Sequence, residues 1–100
     1  MPVRLLEPAA EELDEAVAWY NAQVRGLGDT FLVEVLRVLS LVERYPRAWH
    51  PLGESTRRCR LSRFPYGVVY AVEPEEILVI ALAHLHRRPG YWRERLRRVP

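Results

Sequence analysis

The chain has no lysine: all fifteen of its basic residues are arginine. Genome composition or a hot habitat explains that choice as readily as function does, so the placement of the arginines says more than their kind. There is one cysteine, Cys59, which excludes an internal disulfide and agrees with a reducing compartment. Cys59 reads as a small strand residue filling space; as a nucleophile it would need a nearby base that no spacing identifies. No stretch reaches the ~18 uninterrupted apolar residues a membrane helix needs. MPVRLLEP lacks the apolar core of a signal peptide. A cytoplasmic protein without a membrane partner is therefore expected. Repeats, linkers and low-complexity segments are absent too. The expectation is one domain, 1–100, around one core.

What is present is unevenly spread. The net charge of +2 conceals an acidic first half and a basic second half. The arginines gather at 57–63, 87–88 and 93–98, a pattern suited to a polyanion or an acidic partner.

Residues 2–6 predict a short strand. Glu7-Pro8 opens a helix, with Leu13, Ala16, Val17, Tyr20 and Val24 on one face. Glu11, Glu12, Asp14 and Glu15 read as its solvated face. Two glycines at 26 and 28 break it, and Asp29 or Thr30 is the expected cap of a second helix over about 30–45. Phe31, Val35, Val38, Leu39 and Val42 form its stripe, widened by Leu32, Leu36 and Leu41; Glu34, Arg37, Ser40 and Arg44 form a polar strip.

PRAWHPLGEST predicts a loop, and Arg57–Leu61 a strand with Arg58 and Arg60 on one side. Tyr66–Val72 and Ile77–Ala83 then make a hairpin around Glu73-Pro74-Glu75-Glu76. Both hairpin strands are apolar on both faces, so both faces need cover. Two helices from one helical hairpin lie on a single face, which leaves the other for something else, such as a partner. The tail, HLHRRPGYWRERLRRVP, predicts a short helix with Trp92 and Leu96 four apart. The fold expected is α+β: an antiparallel sheet packed on one face by an N-terminal helical hairpin, in the order β-α-α-β-β-β plus a short C-terminal helix.

This order and these residues resemble the RelE/ParE superfamily of toxins from type II toxin–antitoxin modules. The likeness runs through EPAAEELDEAVAWY, GLGDTFLVEV and YPRAWHPL, and is most specific in RFPYGVVYAV followed by ILVIALAHLHRRPGYW. The tail is most similar to the ParE, or plasmid stabilisation protein, branch. The resemblance implies a toxin encoded beside a cognate antitoxin that wraps and neutralises it. It also implies a target: DNA gyrase for ParE-type members, or mRNA on the ribosome for RelE-type members. Ribosome-dependent members carry a functional arginine where this chain has Gly67, which argues for inhibition by binding rather than by turnover. The alternatives are a ribosome-dependent mRNA endonuclease and a non-toxic module that only binds an antitoxin.

For cleavage, the candidates are His84, Arg87 and Tyr91, a base, a phosphate-binding cation and a helper at the end of the last strand. For target or antitoxin binding they are Arg57, Arg58, Arg60, Arg63, Tyr66, His86, Arg88 and Trp92. Trp19, Trp49, Trp92 and Tyr66 read as packing residues before stacking platforms. No cofactor or metal is expected. His84 and His86 share a strand parity, but His50 or any other third ligand stands at no recognisable spacing.

Overall fold

The computed structural model describes residues 1–98, and of Arg98 the backbone only. Val99 and Pro100, the end of the expected basic tail, lie outside the described residues. The chain runs β1 (Val3–Leu5), α1 (Glu7–Gln23), α2 (Leu27–Arg44), β2 (His50–Pro51), β3 (Thr56–Arg60), β4 (Tyr66–Val72) and β5 (Ile77–His84). A 3-10 turn over Arg93–Arg98 follows. The α+β class and the helical hairpin are as expected. The sheet is mixed: its order is β1-β5-β4-β3-β2, and β1 joins the edge parallel to β5 while the other pairs are antiparallel. Two residues of the expected loop, His50 and Pro51, pair with Arg58 and Arg57 as a fifth, edge strand.

The cap of α2 differs from expectation. Gly26 occupies the N-cap at φ 84° without a side-chain bond of its own. The free Gly28 N–H instead donates to Asn21 Oδ1 on α1 at 2.7 Å, so one helix caps the other. Phe31, Val35, Val38 and Val42 are buried from α2 against the sheet, each worth about 1.5–3 kcal/mol of apolar transfer. They join Val68, Tyr70, Ile77, Val79 and Leu82 in the main core.

The hairpin does not keep one parity along β5. Val79 pairs with Tyr70 and Ala81 with Val69, so Ile80 has no partner across the ladder. This bulge switches the faces. Ile77 and Val79 join Leu82 in the helix-side core, whereas Leu78 and Ile80 join Ala81 and Ala83 in a second core. Strict alternation along β5 would put Leu82 and the two alanines on the opposite sides.

The second core also corrects the expectation of an uncovered face. Val69, Ala71, Leu78, Ile80, Ala81 and Ala83 are sealed by Trp92 of the chain's own tail, with Tyr91, Leu96, Leu6 and Leu52 around it. The basic, aromatic tail folds back because its Trp92 and Leu96 bury apolar area on this face. The apolar side chains left in solvent lie elsewhere: Trp19 and Val24 on and after α1, Val33 and Leu36 on α2, and Tyr45.

Candidate functional site

The first strand is short, and that makes the site. β1 pairs with only Ile77 to Val79, and Leu6 N–H adds a bond to the Val79 carbonyl before the chain turns into α1. The β5 edge beyond Val79 therefore has no neighbouring strand, and its backbone groups need other partners. Glu12, one turn into α1, supplies them. Its Oε1 accepts from Leu82 N–H at 3.2 Å and from Arg95 Nη1 at 2.7 Å. Arg95 Nη1 in turn donates to the Ile80 carbonyl at 3.1 Å. Glu12 Oε2 accepts from the Tyr91 hydroxyl at 2.5 Å and from Arg95 Nη2 at 3.1 Å, with Arg87 Nη1 at 3.5 Å.

Glu12 thus ties α1, the open edge of β5 and the tail together. Its side chain is only 13% exposed and Arg95 only 20%, so these charge-assisted bonds act where water screens them little. Glu12 holds the Arg95 guanidinium above its ordinary pKa. Burial, and then the bond to Glu12, pushes the Tyr91 phenol far above its usual range. Tyr91 is therefore a fixed hydrogen-bond donor at neutral pH, not an acid or base poised to exchange a proton. The guanidinium of Arg87 lies over the Tyr91 ring, 3.9 Å from its centroid.

Beside this hub is a cleft of about 530 Å³ between α1 and the end of β5. Glu12, Glu15, Trp19 and Tyr20 line its helix side; Tyr66, Leu82, His84, Arg87 and Tyr91 line the other. Its aromatic wall is continuous. Tyr20 meets Trp19 and Tyr66 edge-on at 5.2 and 6.3 Å, and Tyr66 meets His84 at 5.0 Å. The Tyr66 phenol is pushed up chiefly by burial.

The three candidates for chemistry, His84, Arg87 and Tyr91, are thus brought to one cleft, two of them in contact with Glu12. His86 lies in the turn after β5, its ring 5.2 Å from that of His84 and its amide donating to His84 Nδ1 at 3.1 Å. The binding candidates scatter. Arg57 sits on the helix side and donates to the Trp49 carbonyl at 2.8 Å. Arg58 lies on the opposite face, Trp92 is buried in the second core, and Tyr66 is half-buried in the cleft. Arg60, Arg63, His86 and Arg88 are exposed. Among the described residues no group of three or more metal-binding side chains gathers.

Two glutamates depart from the pattern the helices suggest. Glu12 belongs to no solvated face, and Glu34 to no exposed polar strip. Glu34 is buried, accepting from Ser62 Oγ at 2.8 Å and from Arg63 N–H at 3.2 Å, and so pins the β3–β4 connection. A signal for Glu12 exists in the sequence: Glu12, Ala16 and Trp19, at i, i+4 and i+7, border the apolar stripe of α1. Glu34 has no such signal.

A two-helix hairpin on a five-stranded mixed sheet is a small α+β fold that solved structures share. The chromosomal ParDE toxin–antitoxin system from P. aeruginosa contains a chain that superposes with a TM-score of 0.66 at 17% identity, covering 86% of this chain and 97% of that one. That likeness establishes the fold. No curated protein matches the chain. The family model of the ParE toxin of the type II toxin–antitoxin system parDE matches residues 3–89, and the chain belongs to that family. Among the described residues no helix is long and apolar enough to cross a membrane.

Proposed function

We propose that this toxin acts in the cytoplasm by binding its target rather than by turning over a substrate, that the target is DNA gyrase, and that a cognate antitoxin encoded nearby neutralises it. Membership of the ParE family supports the gyrase reading. The observation that carries inhibition by binding is the engagement of Glu12. It occupies Tyr91 and reaches Arg87, so two of the three groups that cleavage would need already have an anionic partner. Induction of the chain alone is expected to arrest growth, and the purified chain to block DNA supercoiling by gyrase. Codon-specific mRNA cuts in primer-extension mapping, with supercoiling unaffected, would replace this reading by the endonuclease one.

That second reading has its own observation: His84, Arg87 and Tyr91 do line one cleft. Growth that continues unchanged after induction would leave only the non-toxic antitoxin-binding module.

The antitoxin is expected on the apolar side chains the fold leaves in solvent, Val33 and Leu36 on α2 and Trp19 at the cleft. The acidic product of a neighbouring reading frame should co-purify with the chain. Val33→Glu with Leu36→Glu should abolish that capture while leaving the far-ultraviolet circular dichroism spectrum intact.

A further inference from the structure

We propose that the second face of the sheet carries a binding site for a phosphate group, built by Arg58 and closed by the tail. It does not depend on which target the toxin inhibits.

The site is a small cavity of about 110 Å³ that borders the cleft at α1, sharing His84, Arg87 and Tyr91 with it. Its floor is made from short side chains: Ala83 pairs with Gly67 across the hairpin, beside Val69. Among the described residues, four arginines, Arg58, Arg87, Arg88 and Arg93, and one histidine line it, and no aspartate or glutamate does. Two of these arginines are seated by glycines. A Cβ at Gly67 would lie 2.9 Å from both Cγ and Cδ of Arg58, so the arginine stem crosses the sheet only because residue 67 has no side chain. Gly90, at φ 75°, faces the Arg93 side chain so closely that a Cβ there would collide with its Nε. Both glycines thus open the same cavity to a guanidinium.

The cations that line it are poorly compensated. The ion pairs among the described residues engage Arg87 but not Arg58, Arg88 or Arg93. Arg58 Nε is buried with no hydrogen-bond partner among the described residues. A buried guanidinium N–H left unpaired costs free energy that an anion would recover. The planar fork of arginine, repeated around a small concave space without acids, matches the oxygens of a tetrahedral phosphate. The volume admits a phosphate group without a nucleobase attached inside.

The test is titration of the full chain with inorganic phosphate at constant ionic strength, followed by 31P NMR and by thermal unfolding. Saturable binding and a rise in Tm that chloride does not reproduce are expected. Arg58→Gln should weaken binding at least about tenfold, as loss of a charge-assisted bond implies. Gly67→Ala should weaken it comparably without removing any charge, because the new Cβ displaces the Arg58 stem. Arg25→Gln, in the exposed turn between α1 and α2, should bind within about twofold of the parent and so controls for net charge. Unchanged near-ultraviolet circular dichroism without phosphate verifies that each variant folds. A single-stranded tetranucleotide that binds more tightly than inorganic phosphate, and competes with it, assigns the group to a nucleic-acid backbone. One that binds no more tightly assigns it to free phosphate. The proposal is overturned if phosphate shows no saturable binding, if Arg58→Gln binds like the parent, or if a glutamate-rich peptide binds there and phosphate cannot displace it.

Discussion

The two faces of the β4–β5 hairpin are built from similar aliphatic residues yet are covered by different means. The helix face is packed by Phe31, Val35, Val38 and Val42, held on a long continuous helix. The tail face depends on Trp92 and Leu96 from an irregular segment, latched through Tyr91 and Arg95 to Glu12. A cover supplied by regular structure needs only the right apolar stripe. A cover supplied by a loop needs polar fasteners as well, because its backbone satisfies few of its own hydrogen bonds. The faces differ in charge too. Arg87 and Arg95 meet the Glu12 carboxylate, whereas Arg58, Arg88 and Arg93 form no ion pair among the described residues.

Substitutions on the two faces test that contrast. Phe31→Ala removes a fully buried side chain from the helix face and should cost about 3–5 kcal/mol, read as a lower urea midpoint with an unchanged m-value. Trp92→Ala, on the tail face, is expected to cost less, about 2–3 kcal/mol, since an irregular segment relaxes around a cavity more easily than a helix. If the two losses are equal, the tail is packed as firmly as α2 and the contrast fails. If Trp92→Ala costs nothing, the tail does not cover the sheet at all.

Glu12→Gln sharpens the role of the fasteners. It retains the shape and the Leu82 bond but removes the charge facing Arg95 and Arg87, with a cost of about 1–3 kcal/mol. Hydrogen exchange of amides 91–97 should accelerate more than that of α2. Equal acceleration in both would mean that Glu12 supports the fold generally and not the tail.

Tyr70 gives a pH test on the helix face. Burial pushes its phenol up to about 12, and its hydroxyl donates to the Pro46 carbonyl at 2.5 Å. A raised folded-state value means the native state holds the proton more tightly than the unfolded chain. This contribution is whole below about pH 10 and is lost as pH climbs toward 12. The urea midpoint should fall across that range, and the fall should be shallower in Tyr70→Phe. The smallest effect is expected at Trp19, exposed at the cleft mouth: Trp19→Ala should change stability by no more than about 0.5 kcal/mol.

Much of this fold is readable before any coordinates. The 3.6-residue stripes mark α1 and α2 to within about three residues, and Glu73-Pro74-Glu75-Glu76 marks the β4–β5 turn. What reads wrongly shares a cause. The bulge at Ile80, the parallel β1–β5 pairing and the tail over the second face all depend on residues distant in sequence. Glu12 and Leu82 are seventy residues apart and meet only because β1 stops early. Helical periodicity sorts Glu12 and Glu34 as polar, which they are. It does not show that Glu12 lies where a strand edge, and Glu34 where a loop, leaves a backbone N–H in need of a partner.

The same division holds for the candidate site. Local sequence places His84, Arg87 and Tyr91 close together on the chain, so their shared cleft follows from the end of one strand and the turn after it. The sequence by itself determines the elements, the two-faced hairpin and the basic second half, because these rest on local periodicity and side-chain chemistry. Only the tertiary structure decides which carboxylate meets which arginine and which face the tail covers. It also decides that Arg58 stands over Gly67. Those outcomes turn on through-space distances of a few ångströms, and where packing leaves room for a side chain decides whether its charge is neutralised or left open.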